Sequence, residues 1–229
     1  MKKILIISFL LCSSMSIFAQ NVQLHRDFGK DRNYFTSTVE MFKPDKLGNT
    51  FFFIDMNYGD GDVEGVSLAY WEIARVIKLG KLPIGFHAEY DGGFGQWKED
   101  TLGGAYQIND AWLAGLDYSW NNEDFSKGFS VKLLYKYIDG KSDATFQLTG
   151  VWYAHFFNRK LSFTGFADFW KEDNIFGTNE TDYVFLTEPQ LWYNAMEHFS
   201  VGSEVEISNN FGGLEGFHVM PTLAVKWIF

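Results

Sequence analysis

Alternation of apolar and mixed residues at every second position runs through most of this sequence. In 51–58 the even-numbered residues are all apolar or aromatic, whereas the odd-numbered set includes Asp55. In 34–42 one alternating set likewise carries a single carboxylate, Glu40. Because strand side chains point alternately to two faces, each stretch predicts a β-strand whose faces meet different surroundings.

The same alternation separates charged from uncharged residues. From residue 84 onward, one set in each strand-like segment carries no charge, as in Phe86, Trp112, Leu133, Leu148, Phe169, Leu191, Val201 and Leu223. The opposite set holds His87, Glu89, Asp91, Asp117, Lys132, Lys136, His155, Asp168, Glu188, Glu204, Glu206 and Lys226. A lipid-facing charge costs roughly 2–4 kcal/mol at mid-bilayer, whereas the outer face of a soluble sandwich would be charged. The separation therefore favours a membrane barrel over a sandwich.

Strand and loop spacing predicts an all-β, antiparallel up-and-down barrel of about 12 strands. Three long loops are expected at 92–107, 172–182 and 209–217, each after an odd-numbered strand, and a tight turn at 158–159 after an even-numbered one. Long loops on one side and short turns on the other are typical of outer-membrane barrels. The aromatic content of 19% fits the interfacial girdles of such proteins.

The first 19 residues predict a cleaved signal peptide, which leaves 20–229 as the barrel. Lys2 and Lys3 precede an apolar run that ends at Ala19, a small residue suited to cleavage. Cys12 is the only cysteine and lies in this segment, so no disulfide is expected in the mature chain. The formal net charge of −10 argues against nucleic acid as a partner. We expect a Gram-negative outer-membrane protein.

Short motifs resemble the Tsx family of nucleoside-specific channel-forming outer-membrane proteins. They are Val39-Glu40-Met41-Phe42, Lys43-Pro44-Asp45, Phe51-Phe52-Phe53-Ile54-Asp55, Arg75 at a strand end, and the run from Phe156 to Phe166. The resemblance covers the mature chain in segment order, but Lys46-Leu47 replaces the family's aromatic residue after the turn. It implies a monomeric 12-stranded channel for nucleosides. The closing run TLAVKWIF also resembles the signature that outer-membrane assembly machinery reads.

The predicted lumen combines aromatic rings with acidic and amide groups. Candidate solute-binding residues are Glu40, Phe53, Asp55, Glu89, Tyr153, Phe166, Asp168, Trp170, Glu188 and Gln190. Aromatic faces stack nucleobases at roughly 1–3 kcal/mol per base, and carboxylates accept hydrogen bonds from ribose hydroxyls. The alternative is that the aromatic residues simply fill a narrow lumen while lysines neutralise the acids.

The sequence leaves two other functions open. A structural or surface-recognition barrel with a closed lumen would use its long loops to bind a partner. An outer-membrane lipid hydrolase would need serine and histidine together on the outer face, and neither Ser37 nor Ser203 has an evident partner in sequence. The segment 60–65 begins like a calcium loop, but Trp71 stands where the final glutamate belongs, so no metal or other cofactor is predicted there. Expected partners are therefore outer-membrane lipids, the assembly machinery and a small solute.

Overall fold

The computed structural model describes residues 19–30, 32–141 and 144–229, so the predicted signal peptide lies almost entirely outside the described residues. Every regular element in the described chain is a β-strand. These strands are β1 (Ala19–Asp27), β2 (Phe35–Pro44), β3 (Gly48–Tyr58), β4 (Val66–Lys78), β5 (Ile84–Glu99), β6 (Leu102–Asn121), β7 (Lys127–Ile138), β8 (Thr145–Phe156), β9 (Leu161–Phe176), β10 (Asn179–Thr187), β11 (Gln190–Asn194), β12 (Phe199–Asn209) and β13 (Phe217–Ile228). Among the described residues, no helix has the length and apolar character to cross a membrane.

The strands close into a twelve-stranded antiparallel barrel. Each of β1 to β9 pairs with the next strand in sequence, and β13 pairs with both β12 and β1. The short strands β10 and β11 occupy one position in the wall, because both pair with β9 on one side and β12 on the other. Closure satisfies the edge groups that an open sheet would leave unpaired. The predicted fold is confirmed.

One end of the barrel carries both chain termini, because the start of β1 pairs with the end of β13. We call it the terminal end and the opposite one the far end. The prediction of a long loop at 92–107 is wrong: β5 and β6 continue as a paired hairpin at the far end, with a turn at 100–101. Glycine allows this close ladder, because a Cβ at Gly95 would lie 2.3 Å from the ring of Tyr106. Glycine content there reflects tight pairing and not an irregular loop.

The second predicted long loop, 172–182, is also wrong. The ladder between β9 and β10 continues to Phe176 and Asn179, and Gly177 makes the turn with a φ of 63°. Its polar composition had suggested a loop, yet polar side chains are tolerated on a hairpin outside the apolar zone. The third predicted loop is confirmed, since 210–216 form an irregular connection between β12 and β13.

The wall contains one interruption that the sequence analysis did not predict. Glu188 and Pro189 separate β10 from β11, whereas the sequence pattern of 183–193 predicts one strand. Proline has no N–H to donate to a ladder, so a strand that contains it bulges or breaks. The gap stays bonded: Glu188 N donates to Phe166 O at 3.1 Å, and Val205 N donates to Pro189 O at 3.1 Å. The bulge thus keeps the wall sealed.

Apolar and aromatic side chains cover the outside of the wall, as predicted. The exposed residues include Leu24, Phe86, Trp112, Leu116, Tyr135, Leu148, Tyr193, Leu223 and Trp227. Arg26 and Arg75 face outward near the strand ends, where a charge costs least. Arg75 reaches Asp45 in the β2–β3 turn at 2.6 Å, and its hydrogen bonds hold the pKa of the Asp45 carboxyl well below its usual range. The ion pair marks the edge of the apolar zone at the terminal end.

A methyl group added at Gly115 should destabilise the wall. Its Cβ would lie 2.1 Å from the carbonyl oxygen of Leu133 on β7, whereas a Cβ at Gly150 would meet nothing within 4 Å. We expect Gly115→Ala to lower the free energy of unfolding by about 1–3 kcal/mol, because β6 and β7 must move apart. Urea titration of the folded barrel in detergent, with Gly150→Ala as the matched control, measures this. Equal stability of the two variants would contradict the close approach.

Candidate functional site: the acidic lumen

The structure places all ten predicted site residues on the inner face of the wall, where each alternates with outward-facing neighbours. They are Glu40, Phe53, Asp55, Glu89, Tyr153, Phe166, Asp168, Trp170, Glu188 and Gln190. They do not form one cluster. Most of the acids fall into two neighbouring groups, whereas Tyr153 lies toward the terminal end and hydrogen-bonds to Asn121 at 2.6 Å. Their role in solute binding remains a prediction.

The first group brings acids from facing walls together. Asp55 on β3 accepts a hydrogen bond from Thr38 at 2.5 Å, and Glu204 on β12 accepts one from Gln190 at 2.5 Å. Glu188, in the bulge between β10 and β11, lies close enough to Asp55 and Glu204 for their charges to interact. We call Asp55, Glu188 and Glu204 the acidic triplet. It spans the lumen because β3 and the β10–β11 position lie on opposite sides of the barrel.

The second group lies on β4 and β5. One carboxylate oxygen each from Glu72, Glu89 and Asp91 lies within 4.8 Å of the others. Tyr70 OH donates to Glu72 at 2.9 Å, and His87 Nε2 donates to Glu89 at 2.8 Å. We call Glu72, Glu89 and Asp91 the carboxylate cluster. Sequence reasoning assigned Glu89 to the lumen but missed this cluster, because only the register between β4 and β5 shows that Glu72 and Asp91 are paired.

An indole plugs part of the lumen near the terminal end. The side chain of Trp192 on β11 is fully buried, with its Nε1 donating to Gln190 at 2.8 Å. The ammonium of Lys226 lies 3.8 Å from the ring centroid, and His25 makes an edge contact at 6.0 Å. Rings and cations held in this way fill space that a wider channel would leave to water. Trp192 was not among the predicted site residues.

A second packed region lies toward the far end. Trp170 on β9 packs with Val184 and Leu186 on β10, and Phe211 from the 210–216 loop meets Trp170 edge-on at 6.0 Å. Lys136 lies 4.4 Å from the Trp170 ring and donates to Gln147 at 2.7 Å. The loop therefore folds inward over this part of the lumen. It narrows the bore beside the second acidic group.

Space accessible to water remains between these packed regions, because several inward-facing side chains keep partial exposure. The partly exposed lumen acids are Glu40, Asp55, Glu72, Asp168, Glu188 and Glu204. On the inner face of the described strands, the partly exposed lysines are Lys132 and Lys226. Carboxylate groups thus outnumber ammonium groups among the partly exposed side chains of the inner face. Low-dielectric walls concentrate the field of such groups on mobile ions inside a pore.

Comparison with known proteins places the fold among outer-membrane porins. Residues 19–229 match the family model described as "Domain of unknown function (DUF5020)". The NanC porin has a TM-score of 0.61 at 11% identity, covering 92% of this chain and 100% of that chain. The KdgM porin has a TM-score of 0.52 at 11% identity, and its complex with disordered oligogalacturonate has 0.51 at 10%. Each KdgM match covers 92% of this chain and 99% of that chain.

These similarities show the fold alone, because the sequence identities to the two porins are only 10–11%. No curated protein sequence matches the chain. The resemblance to nucleoside-specific channels is not confirmed, since the matching family model carries no assigned function.

Proposed function

The chain belongs to the DUF5020 family, and we propose that it is a narrow, cation-preferring outer-membrane channel for small solutes. One observation carries the proposal: partly exposed carboxylates outnumber lysines inside a closed barrel with an apolar outer face. Rings of acidic side chains select cations in water-filled pores. We further propose that the protein is a monomer held by outer-membrane lipids and inserted by assembly machinery that reads its C-terminal strand.

The sign of the lumen charge also restricts the solute. The structurally similar KdgM porin is known in complex with oligogalacturonate, an acidic oligosaccharide. A polyanion of that kind would meet Glu188 and Glu204 on one wall and Asp55 on the other. Like charges in a narrow bore repel strongly. We therefore infer that this chain passes neutral or cationic solutes in preference to acidic sugars.

Among neutral solutes, a nucleoside fits the chemistry of the lumen. Phe53 lies two residues before Asp55 on β3 and faces the same side, and its ring centroid is 5.9 Å from that of Tyr70 on β4. Phe166, across the lumen, is partly exposed. Aromatic faces of this kind suit a planar base, and the acidic triplet offers acceptors for sugar hydroxyls. The nucleoside is the proposed solute, and other small polyhydroxylated solutes are the alternatives.

Planar-bilayer recordings on the refolded barrel test the proposal. In a KCl gradient we expect a reversal potential on the cation-selective side, because the lumen acids concentrate K⁺. Thymidine or adenosine should reduce the current in a saturable way, whereas oligogalacturonate should not. An anion-selective current would overturn the channel's proposed selectivity. Block by oligogalacturonate without block by nucleosides would overturn the proposed solute.

A closed structural barrel is the second candidate function, and the burial of Trp192 together with the inward-folded Phe211 favours it. Its expected result differs plainly: a folded, membrane-inserted barrel would pass no current at any salt concentration. Heat-modifiable migration on SDS gels provides the control for folding. An absent current then counts in favour of a closed barrel only when the same sample migrates as folded protein.

A further inference from the structure

We propose that the carboxylate cluster of Glu72, Glu89 and Asp91 binds a calcium ion inside the barrel. The three side chains come from adjacent strands, and the register between β4 and β5 sets Glu72 directly opposite Asp91. Glu89 precedes Asp91 by two residues and so points to the same face. One carboxylate oxygen of each lies within 4.8 Å of the other two. The inner wall thus presents three hard oxygen ligands at one place.

A buried, unpartnered oxygen at this place is a second observation that favours a bound cation. Asp91 is only 5% exposed, and its Oδ1 is buried without a hydrogen-bond partner. A buried carboxylate oxygen without a partner is strongly unfavourable, since it has lost water and gained nothing in exchange. The other two acids are held at one oxygen each, by Tyr70 and His87, and keep lone pairs free for a cation.

The surrounding charge favours a cation. Asp168 lies near enough to Glu72 and Asp91 to interact with them, and Glu188 also interacts with Glu72. Lys132 and Lys136 act on Asp91, and the ammonium of Lys136 is already bonded to Gln147 and placed over Trp170. Carboxylates therefore outnumber ammonium groups around the cluster, and a bound divalent cation would offset that excess.

Ligand type and spacing favour calcium over magnesium or zinc. The three ligand atoms are carboxylate oxygens, which hard cations prefer, and no thiol is available in the mature chain. Calcium binds oxygens at about 2.3–2.6 Å, so two of its ligands can lie up to about 5 Å apart. Magnesium binds at about 2.1 Å, which limits that separation to about 4.2 Å. The ligand atoms of the cluster all lie within 4.8 Å of one another, inside the span that calcium can bridge, and calcium tolerates irregular carboxylate geometry better than magnesium does.

The surroundings of the cluster resemble a second coordination shell. His87 is fully buried and donates through Nε2 to Glu89 at 2.8 Å, while Tyr70 fixes Glu72 at 2.9 Å. Hydrogen bonds of this kind orient metal ligands and commonly contribute 10–100-fold to affinity. Glu72 is partly exposed, so the remaining coordination positions can be filled by water from the lumen.

Terbium luminescence on the refolded wild-type barrel tests the site, because Tb³⁺ replaces Ca²⁺ and Tyr70 stands next to a ligand as energy donor. We expect saturable Tb³⁺ emission that Ca²⁺ displaces and that Mg²⁺ displaces much less well. Asp91→Asn keeps the shape of the side chain and should weaken binding by about tenfold or more, since affinity follows the charge of the ligands. Glu72→Gln provides a second variant if the first does not fold.

Glu206→Gln is the matched control, since Glu206 is also a buried inner-face acid but is paired with Arg32 at 2.7 Å. It should bind Tb³⁺ as the wild type does. An absent Ca²⁺-sensitive signal in folded wild-type protein would overturn the proposal, as would equal binding by wild type and both cluster variants. An equal loss in the control would also overturn it, because the ion would then respond to general charge. The site needs no open lumen, so this measurement and the bilayer recordings fail independently.

Discussion

Removing the acidic triplet should abolish most of the cation preference of the channel. We expect the combined variant Asp55→Asn, Glu188→Gln and Glu204→Gln to lower the K⁺ over Cl⁻ permeability ratio by about tenfold, because the triplet supplies the fixed charge at mid-lumen. Only three partly exposed lumen acids would then remain against the two partly exposed lumen lysines. The reversal potential in a KCl gradient should fall toward zero.

A control of equal charge separates local from global effects. Asp60, Glu123 and Glu197 are exposed acids in turns, and their triple amide variant changes the net charge by the same amount. The field of exposed charges in the turns is screened by salt beyond a Debye length of roughly 8–10 Å under physiological conditions. We expect the control to keep the wild-type reversal potential. Equal shifts in both triple variants would mean that the lumen acids do not set selectivity.

Trp192→Ala should open the bore and weaken the barrel at the same time. The indole is fully buried between Lys226 and His25, so its removal leaves a cavity that connects with the lumen. We expect single-channel conductance to rise several-fold, since the plug is lost where the bore is narrow. The free energy of unfolding should fall by about 3–5 kcal/mol, the usual cost of deleting a buried tryptophan side chain.

Trp112→Ala is the matched control for this prediction. Trp112 lies on the outer face of β6, 59% exposed, and contacts Tyr90 at a ring distance of 4.7 Å. Its loss should leave the conductance unchanged, because the lumen is untouched. Unaltered conductance in Trp192→Ala, measured on protein that migrates as folded, would show that the indole does not limit the current.

Sequence reasoning recovered the features that depend on single residues and their alternation. The inward placement of Glu40, Asp55 and Glu188 followed from period-two patterning, because burying a charge against lipid costs more than any local preference. The number of strands followed from the same pattern together with the turns. These predictions succeed because every strand of the wall must present uncharged side chains to the lipid.

The missed features depend on contacts between distant parts of the chain. Glycines in 92–107 indicated a loop, yet they serve a hairpin in which backbone and ring approach closely. The burial of Trp192 depends on the packing of β11 between β9 and β12, whereas the break at Pro189 follows from the proline itself, a local signal that the strand prediction did not use. The carboxylate cluster needs the exact register of two strands, and a shift of one residue would send its members to opposite faces. Alternation alone does not determine register.

The pairing of β1 with β13 also shapes how this protein reaches its native state. A hydrogen bond joins His25 Nδ1 to the hydroxyl of Thr222, 197 residues away in sequence. The pairing of β1 with β13, to which these residues belong, closes the barrel. Contacts so distant in sequence carry a large loop-closure entropy, so they form late and slowly. Until then two strand edges remain unpaired, which exposes the nascent sheet to aggregation. We therefore expect the pairing of the first and last strands to be the final step in the folding of this barrel.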